Sequence, residues 1–144
     1  MNLLNTYKKF KHDYPKYLIF IESGNFIEIL EDDAYIMHYL QKYKVLVKKK
    51  FIHVGFPKKM LDSVVKTIEN INILLVENTS GGASSKIINI PLVNEYGDLI
   101  DVSKRYYKYE QEIIEIENML IKLSNSKRFP KIIKKVKEIL YEWR

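Results

Sequence analysis

The segment Phe20-Ile21-Glu22-Ser23-Gly24-Asn25-Phe26-Ile27-Glu28-Ile29-Leu30 constrains the fold more tightly than any other stretch of the chain. Two alternating apolar runs flank Ser23-Gly24-Asn25, a pattern that reads as strand, tight turn, strand. Gly24 and Asn25 are the residue types that best tolerate the positive φ such a turn demands. Side chains two apart share one face of a strand, so Phe26 and Glu28 lie side by side at the start of the second strand. A ring beside an acid can stack on a flat ligand and accept one hydrogen bond from it. On this stretch alone, a core Phe26 and a solvated Glu28 form the simpler reading.

The flanking segments predict an α/β body. Leu3, Leu4, Tyr7 and Phe10 follow helical spacing and Tyr14-Pro15 closes the segment, which predicts a helix over 2–13. The hairpin strands follow at 17–22 and 26–31. Glu31-Asp32-Asp33 supplies acids and a cap for a second helix over 32–43. Short strands are expected at 45–47 and 51–54, with Lys48-Lys49-Lys50 as a basic bend between them. Pro57 suits the first turn of a helix over 58–69. The apolar run 71–77 reads as a central strand, the stretch 78–85 as a flexible loop, and 86–90 as a further strand stopped by Pro91.

The pattern changes near Asp98. Tyr106, Tyr109, Ile113, Ile116, Leu120 and Leu123 are spaced alternately by three and four, a heptad seam. Ile132, Val136, Ile139 and Trp143 repeat it after Pro130. The expectation is a mixed sheet flanked by helices over 1–97, carrying a C-terminal helical hairpin over 98–144 that packs on the body or on a partner.

Composition narrows the function classes. The chain has 144 residues, enough for one domain with a real core. It has no cysteine, which excludes disulfides and thiolate metal sites. No apolar run approaches the roughly 20 residues that span a bilayer, and Met1 to Lys11 lacks a signal-peptide pattern. A cytoplasmic protein without membrane association is expected. The formal net charge of +6 permits a polyanion partner. No Asp or Glu has Lys two residues later, the usual nuclease signature. The histidines His12, His38 and His53 are too scattered for a metal site, and no phosphate-cradling loop is present. No catalytic residue, metal or cofactor is therefore expected.

Taken in order, Tyr7, Lys11, Tyr14-Pro15, Leu18-Ile19-Phe20, Gly24, Phe26-Ile27-Glu28 and Asp33-Ala34 resemble the N-terminal mismatch-recognition domain of the MutS DNA mismatch repair family. Val54-Gly55-Phe56-Pro57 is similar to that family's glycine-aliphatic-proline strand end. The similarity covers about residues 5–90. It implies that Phe26 wedges into the minor groove and stacks on a mispaired base, and that Glu28 hydrogen-bonds that base. Asn25 stands where the family usually has aspartate, and Ile27 where it usually has tyrosine. The family's ATPase, clamp and lever segments have no counterpart here, and neither does the helical hairpin in the family's recognition domain.

The resulting expectation is a non-catalytic domain that binds mismatched or distorted duplex DNA. Phe26, Glu28 and Asn25 would be at the wedge, with Lys48, Lys49, Lys50, Lys58 and Lys59 as a phosphate track. Lys131, Lys134, Lys135 and Lys137 form a second basic patch on the last helix. The competing expectation is a protein-interaction adaptor or a homodimerisation module that keeps the fold and uses the C-terminal helices.

Overall fold

The computed structural model describes residues 2–143. The elements run α1 (Leu3–Asp13), β1 (Leu18–Ser23), β2 (Phe26–Leu30), α2 (Glu31–Gln41), β3 (Leu46–Val47), β4 (Ile52–Pro57), a 3-10 turn (Lys58–Met60), α3 (Leu61–Thr67), β5 (Ile73–Thr79), β6 (Gly82–Asn89), α4 (Tyr96–Leu123) and α5 (Phe129–Glu142). The expected mixed sheet with flanking helices and two C-terminal helices is present. The chain divides into two compact units, Met1–Tyr107 and Lys108–Arg144.

In the first unit, six strands form one sheet in the order β3-β4-β2-β1-β5-β6. The β1–β5 pair is parallel and every other pair is antiparallel. Because β1 and β5 are interior strands covered on both faces, both their faces must be apolar. Leu18 to Ile21 and Ile73 to Val76 are accordingly all buried. Leu18, Phe20, Ile27, Ile29, Val54 and Phe56 face the layer formed by α2, α3 and the start of α4. Ile19, Ile21, Leu30, Leu74 and Val76 face α1, which contributes Tyr7 and Phe10. Burying one large apolar side chain contributes about 1.5–3 kcal/mol, so each face is a substantial part of the fold.

Four segments depart from the expectation. The stretch 78–85 is not a loop: β5 runs on to Thr79 and β6 begins at Gly82, around a two-residue turn at Ser80-Gly81. Gly82 has φ +111° and Thr79 Oγ1 donates to its carbonyl, so the turn chemistry of a Gly/Ser-rich stretch here closes a hairpin. The helix expected over 58–69 opens as a 3-10 turn and becomes α-helical only at Leu61. α4 starts at Tyr96, ahead of the hairpin expected from 98, because Tyr96, Leu99 and Ile100 pack into the core. Tyr106, read as the first member of the heptad seam, instead packs edge-on against Tyr39 and lies under the Lys42 ammonium.

The acids at the start of α2 do not cap it. Leu30 is the N-cap and provides no side-chain hydrogen bond. Asp33 turns inward and is fully buried. Its carboxylate accepts from Lys11 Nζ at 2.9 and 3.2 Å, from the Ile19 amide at 2.9 Å and from the Tyr96 hydroxyl at 2.6 Å. This one side chain therefore ties α1, β1, α2 and α4 together. Burial pushes the Asp33 carboxyl above its ordinary range, against the opposing pull of Lys11, Tyr96 and the Ile19 N–H. Burial likewise lowers Lys11, and the Asp33 charge opposes that shift.

Candidate nucleic-acid interface

The β1–β2 hairpin closes through a two-residue turn, with Ser23 opposite Phe26. Of the two turn residues only Gly24 takes a positive φ, +59°. The turn is braced from the 3-10 turn that follows β4: the amide of Lys58 donates to the Asn25 carbonyl at 2.8 Å. Phe26 is paired with Pro57 at the end of β4. Its neighbour Ile27 is fully buried on the opposite face of the sheet, which anchors the strand, while Phe26 itself is 50% exposed. A core position for Phe26 is therefore wrong. The residue stands half out of the surface beside Pro57, at the turn end of the hairpin.

Glu28 is not a freely solvated charge either. It sits opposite Gly55 on β4, and its Oε2 lies 2.7 Å from Nδ1 of the buried His53. A carboxylate can only accept, so the ring presents its Nδ1–H there. Gly55 makes room for this arrangement: a Cβ at that position would stand 3.2 Å from Glu28 Oε2. His53 is itself packed edge-on against Phe51. The result is a carboxylate of fixed orientation whose Oε1 has no partner among the described residues, two positions along the same strand face from an exposed aromatic ring.

Asn25, Phe26, Pro57, Lys58 and Lys59 line one open recess of about 670 Å³. Five residues from two segments thus converge, four of them singled out from the sequence. Lys58 spends part of its charge on Glu22, 2.6 Å away, whereas Lys59 is exposed and unpaired among the described residues. The other three lysines stand elsewhere. Lys48, Lys49 and Lys50 are exposed at the bend between β3 and β4, at the far end of β4 from Pro57. At about 3.3 Å per residue the length of β4 separates the two basic groups by roughly 20 Å. The Lys48 ammonium lies 5.6 Å from the Phe51 ring centroid.

The family model for MutS domain I matches residues 1–97. The chain belongs to the MutS domain I family. No curated protein matches the chain. MutS domain I is the mismatch-recognition module and is itself non-catalytic, which places the chain in the context of mismatch repair. Among the described residues no helix is long and apolar enough to cross a membrane.

Two residues of this MutS domain I were missed by sequence reasoning. From the sequence, His53 reads as a packed or surface residue too far from the other histidines for a metal site, yet it positions Glu28. Asp33 reads as a helix-cap acid, yet it is the buried acceptor for Lys11, Ile19 and Tyr96. The signal for His53 was weak: Glu28 and His53 are diagonal across the β2–β4 pair, since the directly opposed pairs are Glu28 with Gly55 and Leu30 with His53. Diagonal neighbours are recognisable only once the register is known.

Proposed function

We propose that this MutS domain I binds duplex DNA at mispaired or distorted steps, with Phe26 as the wedge and Glu28 as the acceptor facing the displaced base. The observation that carries the reading is the exposure of Phe26 on a braced hairpin, beside a carboxylate whose orientation is fixed by His53. A ring inserted at a base step replaces lost stacking and kinks the duplex. A mismatched step is already poorly stacked, so opening it costs less, and that difference is the source of selectivity. A carboxylate near phosphates is repelled unless it meets a donor. The His53 N–H stabilises Oε2, and Oε1 is left for a base N–H.

The lysines supply the sequence-independent part of the affinity. Lys58 and Lys59 flank the wedge recess, and Asn25 offers an amide at the turn. Lys48, Lys49 and Lys50 lie roughly 20 Å away along β4, a reach of about six base pairs of one duplex. Phosphate contacts position the domain and the wedge discriminates. The domain performs this recognition without catalysis.

The test is a competition titration with matched and single-mismatch duplexes over a range of salt. Affinity should fall steeply with salt, and mismatched duplex should compete better than matched. Phe26→Ala should remove the preference while retaining the salt-dependent component. Equal competition by both duplexes against the wild-type protein at modest salt would refute the wedge assignment.

A further inference from the structure

The second unit carries an apolar surface that its own two helices do not close. Ile113, Ile116, Leu120, Val136, Ile139 and Leu140 line a groove of about 450 Å³ between α4 and α5. Leu120 and Val136 are half-buried at its floor, but Ile116 is 54% exposed, Ile139 59% and Leu140 64%. A surface of contiguous large aliphatic side chains along two adjacent helices is the kind that another helical surface covers.

The charges say what that surface is. The part of α4 in this unit carries Glu110, Glu112, Glu115 and Glu117 against Lys108 and Lys122. α5 has the reverse balance, with Lys131, Lys134, Lys135 and Lys137 against Glu138 and Glu142. Among the described residues no ion pair joins Glu112, Glu115 or Glu117 to a lysine of α5. A partner of a single charge sign would suit one helix and be repelled by the other. A partner with one acidic and one basic helix flanking an apolar seam suits both, and this hairpin has that composition.

We propose that the α4–α5 hairpin pairs with the same hairpin of a second copy of the chain, acidic α4 beside basic α5 of the partner, to form a four-helix dimer. A two-fold interface uses the same patch on both subunits and so must be self-complementary. Opposed charges flanking an apolar seam satisfy that requirement and set which helix lies beside which. The pairing is independent of the proposed DNA-binding role of the hairpin at Phe26.

Sedimentation velocity on the full chain tests this with a pair of charge-reversed variants. One carries Glu112→Lys, Glu115→Lys and Glu117→Lys and has two basic helices. The other carries Lys131→Glu, Lys134→Glu and Lys135→Glu and has two acidic helices. The wild-type chain should be a dimer at micromolar concentration and dissociate on dilution. Each variant alone should sediment as a monomer, and an equimolar mixture should form a heterodimer, which also reports that both hairpins fold. A wild-type chain that stays monomeric throughout, variants that dimerise alone as the wild type does, or a mixture that fails to pair would each overturn the proposal.

Discussion

His53 Nδ1 and Glu28 Oε2 are 2.7 Å apart, diagonally across a strand pair in which the residue directly opposite Glu28 is Gly55. The contact turns a carboxylate on an exposed strand face into a fixed acceptor. Hydrogen bonds to a charged group contribute about 1.5–3 kcal/mol. His53→Ala should therefore lower stability by an amount of that order and reduce the preference for mismatched duplex, while affinity for matched duplex changes less. Urea titration and paired duplex competition measure the two effects separately. Equal weakening toward both duplexes would show that His53 does not act through Glu28.

Gly55→Ala probes the same geometry from the other side. The new Cβ would stand 3.2 Å from Glu28 Oε2, so the carboxylate must move by a few tenths of an ångström. Gly55 is exposed and its φ is not positive, so the backbone accepts alanine. The expected outcome is a small change in stability, within about 1 kcal/mol, together with a clear loss of mismatch preference. A Glu28→Gln variant should show no further loss when combined with Gly55→Ala.

The buried carboxylate of Asp33 makes a stability prediction. Lys11→Met removes its cationic partner and leaves a charge at zero exposure. Breaking a buried ion pair from one side costs about 3–5 kcal/mol; the partly exposed Lys11 ammonium places this case near the lower end. Adding Asp33→Asn to Lys11→Met should recover part of the loss, because the uncompensated charge is then gone. Chemical denaturation of the three variants checks the sign of the recovery.

Tyr7 and Tyr96 give the fold an alkaline limit. Burial, then the Asp33 charge, raises both phenols far above their ordinary value of 10.0. The folded chain thus keeps two protons that the unfolded chain releases. The stability they contribute is fully present below pH 10.0 and is lost as pH rises above it. Each contributes a slope of about 1.4 kcal/mol per pH unit. The lowered Lys11 works in the opposite sense only up to its ordinary value of 10.5. Above 10.5 it no longer opposes the tyrosines, while Tyr35 and Lys86, both also raised, act in the same sense as Tyr7 and Tyr96. Tyr96→Phe should make the slope measured there shallower by about 1.4 kcal/mol per pH unit.

The hairpin, the helices and the wedge candidate were legible because each has a local signature. Gly24 marks the turn, the period of two marks the strands, and the heptad spacing marks the C-terminal helices. What escaped depends on contacts between distant segments. The sequence 78–85 has weak strand propensity, yet β5 offers it a ladder to pair with and tertiary context prevails. Asp33 resembles many first-turn acids. Its burial follows from Lys11, Ile19 and Tyr96 meeting at one point, and Tyr96 lies 63 positions away. Lys48, Lys49 and Lys50 are close to Lys58 and Lys59 in sequence but are held at opposite ends of β4 by an extended strand.

The central claim is that Phe26 enters the base stack at a mispair. A fluorescent base analogue placed at the mismatched position reports local stacking directly. Saturating wild-type protein should change its emission, Phe26→Ala at saturation should leave it close to that of free duplex, and the same analogue in a matched duplex should respond weakly to either. An equal change with wild-type and Phe26→Ala protein, or none with the wild type at saturation, would contradict the account.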